Sequence, residues 1–165
     1  APDVADGAKV SLLDTDHVCG ICGDPAWPWK SMMQGHNPLL MDGYDGSAGV
    51  GDPKYDPGDS KWEEIRTNMG YARSYALRMD LAHAIPRSDL SSSKYCLAVP
   101  GSEYLVLLPT GGSVTVNLSG VTGSRSVEWF NPSNDQTTAG GTVSGGGSVD
   151  FTAPFSGMAV LFIHP

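Results

Sequence analysis

A chain of 165 residues with 40% hydrophobic content can bury a real core, in one domain or in one domain plus part of another. Twenty-one Gly and 12 Pro against only 17% charged residues point to many turns and short strands, hence a mostly β chain. The net charge of -8, with ten scattered Lys and Arg, argues against nucleic-acid binding, and the start Ala1-Pro2-Asp3-Val4-Ala5 carries neither a signal peptide nor a membrane anchor.

Val10-Ser11-Leu12-Leu13 is a short apolar run that stops at Asp14-Thr15-Asp16-His17, as a buried strand does when it opens into a polar loop. Trp27 to Gln34, with Pro28 early, reads as a short helix ended by Asn37-Pro38. Leu39-Leu40-Met41 is a second strand, halted by Asp42-Gly43-Tyr44-Asp45, and residues 50–59 form a Gly, Pro and Asp rich loop. Asp59 or Ser60 caps the clearest helix, in which Trp62, Ile65, Met69, Ala72, Ala76 and Met79 recur at steps of three and four on one face. Strand, helix, strand, helix is the grammar of a parallel α/β unit.

After Asp89 the grammar changes to short apolar runs between Gly, Ser, Asn and Pro. Seven strands are expected: 95–99, 104–108, 113–118, 126–130, 138–143, 148–152 and 158–163. That number suits an antiparallel β-sandwich. The runs at 104–108 and 159–163 are continuously apolar and belong at the centre, whereas Val114, Val116 and Leu118 alternate with polar neighbours. The fold class is therefore α+β, two βα units over residues 1–88 followed by a sandwich over 89–165.

Several stretches together carry a family likeness: Leu13-Asp14-Thr15-Asp16-His17, Trp29-Lys30-Ser31, Met41-Asp42, Met69-Gly70-Tyr71 and Pro86-Arg87-Ser88-Asp89. Pro100-Gly101-Ser102-Glu103-Tyr104 and Val127-Glu128-Trp129-Phe130-Asn131-Pro132 are the most specific of them. The chain resembles the C-terminal part of the apiosidase-like glycoside hydrolase family, whose (β/α)₈ barrel is followed by a β-sandwich labelled collagen-binding. The resemblance implies that Val10 to Leu13 and Leu39 to Met41 are barrel strands seven and eight. It places Asp16, with Asp14 second, where a strand-seven catalytic carboxylate would lie, and His17, Trp27 and Asp42 near the same rim as substrate-binding residues. Glycoside hydrolysis needs two carboxyl groups flanking the bond, and the resemblance puts the other on strand four, outside this sequence. It thus implies a non-catalytic piece of a secreted or periplasmic bacterial enzyme, acting on carbohydrate and without a cofactor.

Two other readings stand beside it. The sandwich acts in its own right as a carbohydrate- or collagen-binding module. Alternatively, His17, Cys19, Cys22 and Cys96 supply one imidazole and three thiolates, a set that zinc accepts tetrahedrally. Three cysteines leave an odd thiol and do not form a disulfide scaffold. The acidic residues Asp42, Asp45, Asp52, Asp56 and Asp59 lack an EF-hand spacing and read as solvated turns. Open strand edges at 10–13 and 39–41 seek partners, either in a homo-oligomer or in the sandwich.

Overall fold

The computed structural model describes residues 3–14, 24–40 and 60–165, and for residues 60–62 the backbone alone. Strands β1 (Leu12–Asp14) and β2 (Asn37–Leu39) pair in parallel, Leu12 opposite Asn37 and Asp14 opposite Leu39. A parallel pair needs a crossover, which helix α1 (Trp27–Met33) supplies. Both strands are displaced by one or two residues from their expected positions, and Met41 lies outside the described residues. The helix ends at Gln34-Gly35 and not at Asn37-Pro38. The Gln34, Gly35 and His36 amides turn back onto the carbonyls of residues 30–32, and the Asn37 N–H already donates to Ser11 O at 2.9 Å as part of the strand. The two strands meet each other through one edge apiece and join neither antiparallel sheet.

Helix α2 (Ser60–Ala76) buries Ile65, Asn68, Ala72 and Tyr75, with Met79 continuing the stripe just beyond its end. The steps are three and four, as in any amphipathic helix. Ile65, Ala72 and Met79 are on the expected face, but Tyr75 and Asn68 complete it while Met69 and Ala76 flank it half-buried. The polar pair was hidden from hydrophobic periodicity, and it is buried because each member is partnered. Trp29 Nε1 donates to Asn68 Oδ1 at 2.8 Å, the Asn68 amide donates to Glu64 O at 2.9 Å, and the Tyr75 hydroxyl donates to Glu128 Oε1 at 2.7 Å.

Each of the seven expected strands forms. They are β4 (Cys96–Val99), β5 (Glu103–Leu108), β6 (Gly111–Asn117), β7 (Ser124–Asn131), β8 (Gln136–Ser144), β9 (Ser148–Ser156) and β10 (Ala159–His164). A two-residue strand β3 (Ile85–Pro86) precedes them, and a single 3-10 turn (Ser88–Leu90) follows it. The larger sheet has the order β3-β4-β5-β10-β7-β8, antiparallel throughout, and β6 pairs with β9 in a separate antiparallel ribbon. The two continuously apolar runs are the two central strands, as their composition requires.

The reason for those runs is that the six-stranded sheet is covered on both faces. Cys96, Tyr104, Val106, Trp129, Leu161 and Ile163 point to the β6–β9 ribbon and pack with Val114 and Val116. Their sequence neighbours Leu97, Leu105, Leu107, Phe130, Val160 and Phe162 point the other way and pack with Trp29 and Met33 of α1 and with Ala72 and Tyr75 of α2. Three layers result: helices, six-stranded sheet, ribbon. Trp129 and Phe130 are both buried, one on each face.

Pro100-Gly101 makes the β4–β5 turn, with Gly101 at φ +84 and the Ser102 N–H on Val99 O at 2.9 Å. Proline followed by a positive-φ glycine is the type II requirement. Gly111, at φ +70, could not carry a side chain, since a Cβ there would stand 2.2 Å from Gly157 O.

At the sheet–helix boundary Arg78 grips Glu128 through two parallel bonds of 2.7 and 2.9 Å, beside the Tyr75 hydroxyl. The guanidinium also lies over the Tyr75 ring at 4.6 Å and the Phe162 ring at 4.9 Å. Burial pushes the Glu128 carboxyl up, but the bonds from Arg78 and Tyr75 outweigh it and hold it below its ordinary value. Burial and the bond to Glu128 in turn push the Tyr75 phenol well above its usual range. Because the folded pKa of Glu128 is depressed, its contribution is complete above the unfolded carboxyl's pKa and is lost as pH falls through the folded value. Glu128→Gln is expected to lower stability by about 1–2 kcal/mol at pH 7, a modest figure because Arg78 is partly exposed. Urea melts at a series of pH values descending from 7 check this: the gap between wild type and variant should narrow as pH falls below the ordinary carboxyl range, and a gap that does not change with pH would refute the role given to the carboxylate.

Candidate functional site

Parallel pairing brings the C-terminal ends of β1 and β2 to one side, and the chain leaves β1 there through Asp14. Asp14 is exposed, and its carboxylate makes no hydrogen bond with another described residue. Asp16, His17 and Asp42 lie outside the described residues. So do Cys19 and Cys22 of the zinc alternative.

Trp27 opens α1 on the same side, but its ring is only 7% exposed. It packs with Ile65 and with the half-buried Leu13, Leu40 and Met69, so it forms the floor beneath the strand ends and offers little surface to a ligand. Asp24 sits one turn before it. Its Oδ1 accepts the Ala26 N–H at 2.9 Å and its Oδ2 pairs with Lys30 Nζ at 2.8 Å, which ties the start of the helix to its own first turns. The sequence reading passed over Asp24, although an acidic residue just before Pro25 is an ordinary helix-start signal.

Cys96 faces the core between the two sheets, on the opposite face of the sheet from α1. Burial pushes its thiol up to about 12, well away from the thiolate form that metals bind. Among the described residues no group of three or more His, Cys, Asp or Glu side chains is gathered as a metal site. None of their helices is long and apolar enough to cross a membrane.

Residues 83–160 match the domain family described as "Putative collagen-binding domain of a collagenase". Two solved structures share the chain's architecture. One is a glycoside hydrolase family 5 protein from Bacteroides vulgatus ATCC 8482, with TM-score 0.65 at 14% identity over 85% of this chain and 35% of that one. The other is described as a glycoside hydrolase, with TM-score 0.59 at 14% identity over the same 85% and 35%. What is shared is the fold. The chain spans about a third of the length of these two proteins. No curated protein matches. The mostly antiparallel α+β architecture agrees with the fold of these two structures.

The Cys96 thiol should resist iodoacetamide in the native protein at pH 8 and react fully in 8 M urea. Peptide mapping after each treatment tests this, and native labelling at the rate of a free thiol would contradict the burial.

Proposed function

We propose that this chain is the C-terminal part of a sugar-cleaving enzyme. Residues 1–88 are the last two βα units of a β/α barrel and residues 89–165 a β-sandwich accessory domain that braces them. The observation that carries this reading is the lone parallel β1–α1–β2 unit attached to an antiparallel sheet. Its side chains Leu12 and Leu39 are 69% and 46% exposed, although apolar residues on parallel strands are ordinarily covered by neighbouring strands and helices. Completing a barrel would cover them. The fold likeness to one third of two glycoside hydrolase chains supports the same reading.

In a β/α barrel, catalytic groups stand at the C-terminal ends of strands. Asp16 then supplies one carboxylate, with Asp14 at the strand end as the second candidate. His17 and Asp42 contact the sugar from the same rim, and Trp27 supports them from below. Glycosidic cleavage requires a second carboxyl group about 5 to 9.5 Å away. That partner belongs to another strand of the barrel, so the chain alone carries out no turnover. The substrate class is carbohydrate, and the parent enzyme is secreted or periplasmic. A panel of aryl glycosides and plant or bacterial oligosaccharides should therefore show no hydrolysis above buffer with this chain. Turnover that disappears in Asp16→Asn would defeat the non-catalytic reading.

The family description favours a second reading, in which the sheets themselves bind polysaccharide or collagen. Sugar-binding faces present exposed aromatic rings. Here Trp29, Trp129 and Phe130 are buried, and the bracing role rests on that fact. Co-sedimentation with insoluble polysaccharides and with fibrillar collagen should leave the chain in the supernatant. Saturable retention on either would promote the binding reading over the bracing one.

A further inference from the structure

At the other end of the β1–β2 pair from Asp14, a cavity of about 540 Å³ opens between the end of α1, the middle of α2 and strand β4. Its volume lies within the range of small-molecule sites. Met32, Met69, Ala72, Leu81 and Leu97 give it apolar walls, and no acidic residue is among the described residues that line it. His36 is also there, but both its ring nitrogens are engaged. Nε2 donates to Asp3 O at 2.6 Å, since a carbonyl can only accept, and Nδ1 accepts from the Ser11 hydroxyl at 2.7 Å. Arg73 is different. It lines the cavity from an exposed position, and its guanidinium makes no hydrogen bond or ion pair with another described residue.

A second feature points to the same space. Gly70 sits in the interior of α2, where glycine is the least favourable residue after proline. A Cβ placed on it would meet nothing within 4 Å, so no packing within the described chain calls for a glycine. Its effect is to leave the cavity wall open. The same patch continues outward through Leu81, which is 48% exposed.

We propose that this cavity binds a small amphiphilic monocarboxylate, with its apolar body between α1, α2 and β4 and its carboxylate on Arg73. Apolar walls select a hydrocarbon or aromatic body. A guanidinium with no partner among the described residues selects a carboxylate that can take two parallel bonds. The site lies at the opposite end of the strand pair from Asp14.

Calorimetric titration of the whole chain with decanoate, 1-decanol and decyltrimethylammonium tests the proposal, each ligand kept below its aggregation threshold. Decanoate should bind one per chain, at least about tenfold more tightly than decanol, with the cation weakest. Arg73→Gln should reduce decanoate to the affinity of decanol and leave decanol unchanged. Gly70→Leu should abolish both while keeping or raising Tm, because it fills the cavity and improves the helix. That Tm separates lost binding from lost folding. Equal affinity for decanoate and decanol, an Arg73→Gln variant that binds like wild type, undiminished binding in Gly70→Leu, or no binding by any probe would each overturn the assignment.

Discussion

Burial of both faces of one six-stranded sheet is the constraint on which the rest of the molecule depends. β5 and β10 can be continuously apolar over 104–108 and 159–163 only because the β6–β9 ribbon covers one face and α1 and α2 cover the other. Stripping the helices away would expose Leu97, Leu105, Leu107, Val160 and Phe162 together. Each such side chain is worth roughly 1.5–3 kcal/mol on burial, and a domain's whole net stability is about 5–15 kcal/mol. The parallel unit and the antiparallel sheet therefore share a core that neither can do without. Whatever the first part of the chain positions is thereby packed against the sheet.

Apolar burial alone does not fix how a helix lies on a sheet, because it is non-directional. The direction comes from polar and aromatic contacts at the boundary. Tyr75 packs against Trp29, Phe130 and Phe162 with centroids 5.3 to 5.8 Å apart and aims its hydroxyl past them to Glu128. Arg78 then closes over both Tyr75 and Phe162 and takes the same carboxylate. Moving α2 along the sheet by one residue would leave a half-buried carboxylate without its donors. At the other end of the interface, the bond from Trp29 to Asn68 sets α1 against α2 in the same way.

The sequence made the strands legible because their turns and periodicities are local. The apolar run at 104–108, the alternation at 114–118 and Pro100-Gly101 each follow from residues within a few positions. The Glu128-Trp129-Phe130 stretch stood out, yet its cause is non-local. Trp129 faces the ribbon, while Glu128 and Phe130 face a helix some fifty residues earlier in the chain. The buried face of α2 was misread at Tyr75 and Asn68 for the same reason, since a polar residue is admitted to a core only by a partner that the local sequence does not show. The bounds of α1 hold to within one residue, but its stop is Gly35 and not Asn37-Pro38, since the asparagine and proline pair with β1. At the strand ends, Asp14 stands where the apolar-to-acidic switch put it, whereas Trp27 is turned under the strands and Asp24 went unnoticed.

The carboxylates divide by what surrounds them, and that division bears on function. Glu128 is held by Arg78 and Tyr75, Asp24 by Lys30, Asp89 by Arg87 and Asp80 by His83. Asp89, gripped by the Arg87 guanidinium, is held below its ordinary pKa. Groups so engaged are tied to the fold through charge-assisted hydrogen bonds. Asp14 ends a parallel strand, is exposed and has no such partner among the described residues. A general acid or base must keep its oxygens free until substrate arrives, so a strand-end carboxylate without a structural partner is the kind of group that chemistry can recruit.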